Sequence, residues 1–561
     1  MASMAYDTSA GLTALLKDGH QHLSATDGAV LRNVVAAREL ARIVRSSLGP
    51  HGRNKLVVNH LEKATVTSDC ATIVRELEIE HPAAKMLSLA AETQDRECGD
   101  GTNLTVSFAG ELLDRTEALL RSGLHVSEVV AGYRRAAKEL HTMLPSLVTF
   151  EIGNAEINRS TLTAAVKPVV AAKQFGCEDV LASLVAEACT SCLTVNSSTG
   201  RRSLSTDSVR VMKVMGGNVG MSKVIGGYVA PRSPETTRRS TKGVDAPKIA
   251  VFGCGIEASG TEAKGTVLMN DASDLLGYNK SEEAKMEELI KSIKDSGADV
   301  LVSGGTVSEM ALHFIQRYDM MCLKISSKWE LRRLCAAVGA TALVRLGPPT
   351  PDEMGRATLV NTEEVGARHI TVFYTHNESS DEIIGGNRLV TILLRASTSG
   401  VLADLGRAVD DGVRAASALC RDGRMVPGAG ATEAELAVRM RAIAESSPGL
   451  DQYAVGAFAD SLEFVPITLA ENAGLDSQGT MAALRGLHAT TGSGGEKKQA
   501  AGVDVEGADG LDGGIGVKEE TETLDILSTK TSAFKVAVDA ALTVLKVDQI
   551  IMSRPAGAGR K

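Results

Sequence analysis

The hydrophobic period of this chain changes twice, and that order limits how it can fold. Residues 27–48, DGAVLRNVVAARELARIVRSSL, place Val30, Val34, Ala37, Ala41, Val44 and Leu48 at gaps of three and four, one face of a helix. Gly49-Pro50 then ends it. In the middle third, the short apolar runs KIAVFGC, ADVLVSGG and MMCLKIS alternate with helical patterns such as SEEAKMEELIKSIKDSG and SKWELRRLCAAVG. That alternation predicts an α/β domain, and LVTILLRAS (389–397) reads as one more buried strand. The last third returns to helix in LADLGRAVDDGVRAASALC, ATEAELAVRMRAIAES and SAFKVAVDAALTVLKVDQII. Two organisations fit this order: three sequential domains, or one helical domain interrupted by an insertion.

Several classes are disfavoured at once. A net charge of −9 lacks the basic footprint of a general nucleic-acid binder. No apolar run reaches the length of a spanning helix, and the N-terminal stretch has no secretory pattern, so a cytoplasmic protein is expected. The nine cysteines include one close pair, Cys189 and Cys192. A single CxxC without a second half reads as buried thiols in a reducing compartment. The stretch 490–516 is rich in Gly, Ala and Asp and reads mostly as a surface loop, and the tail PAGAGRK as a mobile end.

The segment ECGDGTNLT (97–105) raises the chemical question, because it puts two glycines and a carboxylate at the mouth of a helix whose Leu104, Phe108 and Leu112 share a face. A helix N-terminus offers unpaired N–H groups and a positive dipole end, and glycine lets phosphate approach them. Asp100 beside phosphate calls for a bridging cation, and Mg²⁺ suits that place. By itself the motif reads first as a loop with a good helix cap. SSLGPHGRNK (46–55) is by itself a helix stop, and VPGAGATEAEL (426–436) a turn opening another helix. VTSDCATI puts Asp69 in an apolar, strand-like run, and RAVDDGV puts Asp410 and Asp411 on a helix, where charge is usually just solvated. No GxxxxGK[ST], HExxH, GxSxG or kinase signature occurs.

Taken together and in order, SSLGPHGRNK, VTSDCATI, HPAAKM, GDGTN, GLHVSEVVAGY, RAVDDGV, VPGAGATE and VLKVDQII resemble the ATP-binding signature of group II chaperonins, over about residues 25 to 556. The resemblance implies the interrupted organisation: a multi-domain, α-rich chaperonin subunit with an α/β insertion. A helical equatorial domain would take residues 1–150 and 411–561, an intermediate domain 151–225 and 376–410, and an apical domain 226–375, its lid protrusion near 255–280. It implies Mg²⁺ with ATP or ADP as cofactors. Asp100 would hold the metal, and Gly101, Thr102 and Asn103 the phosphates, with Leu48, Gly49 and Pro50 opposite. Asp69 and Asp411 match the aspartates that position the attacking water. Gly428 and Ala429 would meet the ribose, Asp525 would grip its hydroxyls, and Lys173 in AAKQFG would sense the γ-phosphate. The sequence departs from the family pattern at Cys70 for glycine, Asn103 for threonine and Ala429 for glycine. Ala429 puts fast nucleotide exchange in doubt more than binding.

The implied partners are paralogous subunits in a double eight-membered ring and unfolded clients such as actin and tubulin, with ATP hydrolysis driving lid closure. Neither nucleic acid nor membrane is expected. A mainly structural ring member with little hydrolysis is the alternative, and a stand-alone small-molecule kinase or NTPase is a third reading. In SEMALHFIQRYD (308–319), Met310, Phe314 and Ile315 face either client or core, with core the better reading.

Overall fold

The computed structural model describes residues 21–23, 29–59, 61–153, 157–195, 202–242, 246–257, 272–366, 368–377, 380–383, 388–489, 499–506 and 514–552. The chain divides into two compact units, Met1–Ala182 with Arg407–Lys561, and Ser183–Gly406. The second is thus inserted into a unit built from both ends of the chain.

In the first unit, α1 (Ala29–Arg45) buries Val30, Val34, Ala37, Ala41 and Val44 on the face that the periodicity predicts. An antiparallel hairpin follows, β1 (Lys55–Val58) with β2 (Ala64–Thr67). Three helices come next: α2 (Cys70–Glu76), α3 (Pro82–Glu97) and α4 (Thr102–Arg121). His81 caps α3, which has proline in its first turn, the position where the missing N–H costs nothing. Next come α5 (Val126–Met143), closed by a His125–Glu128 capping box, and α6 (Arg159–Ala171). Phe108 of α4 is fully buried. Its ring meets Phe458 at 5.5 Å and Phe534 at 5.3 Å, both edge-on, so the core is closed by side chains from before and after the insertion.

The inserted unit holds a parallel sheet of β3 (Lys248–Phe252), β4 (Val300–Ser303) and β5 (Met321–Lys324), bordered by an antiparallel strand at Gly355–Arg356. Apart from Lys248, Ser303 and Lys324 at their ends, these strands are buried apolar runs, as expected where helices cover both faces. Phe314 and Ile315 belong to its core, and Met310 packs against it. The run at 389–397 forms a strand over Val390–Ala396, between Val209–Met215 and Lys223–Ile225.

The chain returns to the first unit through α7 (Ser399–Arg421). There β6 (Arg424–Pro427) pairs with Phe150–Glu151 and with Leu524–Ile526. Then come α8 (Ala431–Ser446), α9 (Asp451–Leu462) and α10 (Ser477–Ala489). β7 (Gly502–Val503) pairs with β8 (Val517–Lys518), and β9 (Leu524–Ile526) leads into α11 (Leu527–Leu545). The expectation of a surface loop over 490–516 needs correction for 499–506, where Ala501 and Val503 are buried in a small core with Leu475 and Leu484. Residues 258–271 of the expected protrusion, 490–498, 507–513 and the tail lie outside the described residues. All nine cysteines are thiols, and Cys189 and Cys192 are buried. Among the described residues no helix is long and apolar enough to cross a membrane.

The α1–α4 crossing is tight. A Cβ on Gly110 would lie 2.1 Å from the Ala41 Cβ. Gly110→Ala is expected to destabilise the chain by about 1–3 kcal/mol, with Ala41→Gly restoring part of the loss. Thermal unfolding of the single and double variants checks this.

Candidate functional site

Asp69 stands where β2 gives way to α2. It is the N-cap of that helix, not part of the strand, which corrects the strand-like reading of VTSDCATI. Its Oδ2 accepts from the Thr72 N–H at 3.1 Å and the Thr72 hydroxyl at 2.6 Å. Oδ1 is left for the Lys173 ammonium at 2.9 Å. Lys173 lies just past the end of α6, and its Nζ also donates to Oδ2 of Asp411 on α7. Asp411 is 4% exposed, whereas Asp410 beside it is exposed, so the burial picks out one of the two aspartates. Burial pushes the Asp69 carboxyl up. The Lys173 charge and the hydrogen bonds from Thr72 and Lys173 outweigh that, leaving it below the ordinary aspartate range.

The GDG turn is shaped by its neighbours. Gly99 is left-handed at φ +75°, and a Cβ there would lie 2.2 Å from the Arg414 side chain. Arg414, one turn along from Asp411, donates to the Asp95 carbonyl at 2.9 Å and carboxylate at 3.0 Å. Gly101 is left-handed at φ +79° and caps α4 without a side-chain hydrogen bond. The first N–H groups of α4 therefore have no side-chain acceptor at the cap. Asp100 is half-buried. Burial raises its carboxyl, the Gly101 N–H and Lys173 oppose the rise, and Asp525 and Asp69 add to it, so all four residues share one electrostatic neighbourhood. The Asn103 amide donates to the Val44 carbonyl and the Ser47 hydroxyl, each at 3.0 Å. It ties the mouth of α4 to the end of α1, just before the turn at Leu48, Gly49 and Pro50. Asn472 holds the Leu48 carbonyl at 2.9 Å, while Thr102 is buried.

A second helix mouth opens after β6. Gly430, at φ +77°, caps α8, again without a side-chain bond. Ala429 is left-handed at φ +53°, a conformation that costs an L-residue roughly 1–2 kcal/mol. The Gly428 N–H donates to Thr523 at 2.8 Å, and a Cβ on Gly428 would stand 3.2 Å from the Asp525 carboxylate. Asp525 sits in β9, opposite Val426 of β6. Lys530, buried in the first turn of α11, pairs with Glu433 at 2.8 Å and Asp525 at 3.0 Å. Burial opposes its charge, but the two carboxylates prevail and raise its pKa.

The structure thus gathers Asp69, Lys173 and Asp411 by direct contact, sets Asp100 and Asp525 within their field, and presents two glycine-capped helix mouths. Sequence reasoning missed Gln94, Glu433 and Lys530. Gln94 is fully buried and donates from its amide to the Asp100 carbonyl at 2.8 Å, while Ser532 donates to its Oε1 at 2.8 Å. Its signal was present: a polar residue on the apolar stripe with Leu87 and Ala91. Among the described residues no cluster of three or more His, Cys, Asp or Glu forms an all-protein metal cage. Mg²⁺ is usually held by one or two carboxylates plus substrate phosphates, and a single carboxylate at an uncapped helix mouth fits that requirement.

The chain thus has a unit interrupted by an insertion, with two glycine-capped helix mouths and the buried Asp69 and Asp411 in that unit. The TCP-1/cpn60 chaperonin family matches residues 40–555, and the chain belongs to that family. T-complex protein 1 subunit theta of Arabidopsis thaliana is 47% identical over 552 residues, 98% of this chain and 96% of the relative. The human protein of that name is 43% identical over 552 residues, 98% and 95% of the two chains. That of Dictyostelium discoideum is 41% identical over 547 residues, 98% and 97%. The chain therefore carries the chaperonin character of protein folding.

The left-handed alanine is the strained point of the second mouth. Ala429→Gly relieves the left-handed cost and adds the chain entropy of glycine, for a net gain of roughly 0.5–1 kcal/mol. A higher urea midpoint is expected, and a lower one contradicts the strain.

Proposed function

We propose that this chain is an ATP-hydrolysing subunit of a cytosolic double-ring chaperonin. Its partners are paralogous subunits in eight-membered rings, and its clients are unfolded proteins such as actin and tubulin. The observation that carries the reading is the buried contact of Lys173 with Asp69 and Asp411 beside Asp100. On this reading the equatorial domain takes 1–150 and 411–561, the intermediate domain 151–225 and 376–410, and the apical domain 226–375 with a lid.

Each residue then has a task. Asp100 holds Mg²⁺, which when bound neutralises phosphate charge. The uncapped N–H groups that Gly101 leaves at the mouth of α4, those of Thr102 and Asn103 among them, take phosphate oxygens, with Leu48, Gly49 and Pro50 facing them. Gly428 and Ala429 border the ribose, and Asp525, oriented by Lys530, accepts from its hydroxyls. Phosphoryl transfer needs positioning more than covalent chemistry. An aspartate is a weak base at neutral pH, and Thr72 keeps two hydrogen bonds on Oδ2, so Asp69 accepts a hydrogen bond from the attacking water on its other oxygen and aims it. Asp411 does the same from the other side.

Lys173 links this chemistry to conformation. Its ammonium is shared by the two carboxylates that would orient water. A γ-phosphate competes for that ammonium and frees them. Lys173 lies nine residues before the end of the first segment of its unit and Asp411 four residues after the start of the second, so on this reading a change at the site passes to the segments that lead into and out of the insertion. Hydrolysis in this way drives lid closure.

The test uses the assembly purified through this chain. Asp411→Ala is expected to retain ATP and to lose single-turnover hydrolysis at this site by roughly 10²–10³-fold, with chamber closure lost. Unchanged turnover at this site contradicts the assignment, and recovery of a monomer alone contradicts the ring.

A further inference from the structure

Two buried carboxylates leave the first turns of α8 in different directions. Glu433 reaches Lys530, while Glu435 reaches an element the nucleotide reading has not used. Glu435 is 1% exposed, and its Oε2 lies 2.9 Å from Nδ1 of His488, near the end of α10. Its other oxygen accepts from Arg439 Nε at 2.6 Å, and Arg439 in turn donates to Ser146 at 2.9 Å. His488 is 2% exposed, and its Nε2 lies 2.9 Å from the carbonyl of Ala501. Both ring nitrogens are engaged, one by a carboxylate oxygen and the other by a backbone carbonyl. A buried ring of that kind is costly unless each bond is kept, which makes the contact specific.

Ala501 belongs to the segment 499–506, and the contact continues along it. The next residue, Gly502, faces Ala429: a Cβ there would lie 3.0 Å from the Ala429 carbonyl and 3.3 Å from its methyl. The Val503 N–H donates to that same carbonyl at 2.9 Å. A line of direct contacts therefore runs from Glu435 through His488, Ala501 and Val503 to the left-handed residue at the second helix mouth. Besides the histidine, the segment is held by its short pairing with β8, by the Thr521 N–H on the Ala500 carbonyl at 3.0 Å, by the Asp504 N–H on the Gly516 carbonyl at 3.2 Å and by a small apolar cluster, and of these partners only His488 fixes the Ala501 carbonyl through a buried side chain.

The geometry points to His488 as a positioning residue of the nucleotide site. Anchored on Glu435, it clamps segment 499–506 against Ala429, and that segment forms the wall on the ribose side of the bound nucleotide. The inference rests on the nucleotide reading above and adds a determinant of affinity that no contact with ligand would disclose. It also gives Gly502 a reason to be glycine, since a side chain there would displace Ala429 or the wall.

The assembly purified through this chain is compared with His488→Ala and His488→Gln. The readouts are hydrogen exchange over 500–504, ADP affinity at this subunit, and KM against kcat. In His488→Ala, exchange at Val503 is expected to rise at least tenfold and ADP affinity to fall about tenfold, the effect of one charge-assisted hydrogen bond. KM should rise more than kcat falls. Glutamine, which can donate to one of the two acceptors, should fall between. If His488→Ala does not assemble, His488→Gln against wild type decides the same comparison. Wild-type exchange together with wild-type affinity overturns the clamp. Faster exchange with unchanged affinity shows a held segment that is no wall of the site, and overturns the inference as well. Absence of ADP binding at this subunit in the wild type would instead remove the nucleotide reading beneath it.

Discussion

One ammonium group lies between two buried carboxylates that the chain supplies from 104 residues before it and 238 residues after it. Both carboxylates are shielded from solvent there, and the shared ammonium compensates the two charges at once. Removing one partner from a buried ion pair costs about 3–5 kcal/mol, because the charge left behind has lost its solvent. Asp69 and Lys173 precede the inserted unit and Asp411 follows it, so the pairing requires the two ends of the chain to fold as one body. The aromatic contacts of Phe108 with Phe458 and Phe534 impose the same requirement in apolar terms.

Buried charge recurs around this centre. Lys530 sits between Glu433 and Asp525, and His488 between Glu435 and a carbonyl. Such groups are poor sources of stability compared with apolar packing, but each admits few geometries. They fix where carboxylates point, and a site that works by positioning depends on that. Polar side chains without charge serve the same end. Gln94 holds the carbonyl of Asp100, and Asn103 fastens the end of α1 to the mouth of α4.

The fold was legible where one period ran long enough. The face of α1, the buried Leu104, Phe108 and Leu112, and the strands at 248–252, 300–303 and 321–324 all follow from spacing. Asp69 was misplaced because a strand and a helix N-cap share three residues of apolar context, and only the turn between them tells them apart. The partners of Lys173 were hidden for a different reason: no local pattern encodes a contact across 238 residues, and the assignment came through family likeness alone. Segment 499–506 looked like loop because Gly, Ala and Asp carry little periodicity, yet Ala501 and Val503 are buried against Leu475 and Leu484, residues that no local pattern links to them. Gln94 was readable as a polar residue on an apolar stripe, although its role depends on the GDG carbonyl it holds.

The most direct test of the account is the density of this subunit in the intact assembly with ADP and an aluminium fluoride mimic of the transferred phosphate. The account predicts phosphates at the mouth of α4, with the Lys173 ammonium drawn off Asp69 and Asp411 toward the mimic and a water held between the two carboxylates. Nucleotide bound elsewhere, or Lys173 still bridging both carboxylates with the mimic in place, would contradict it.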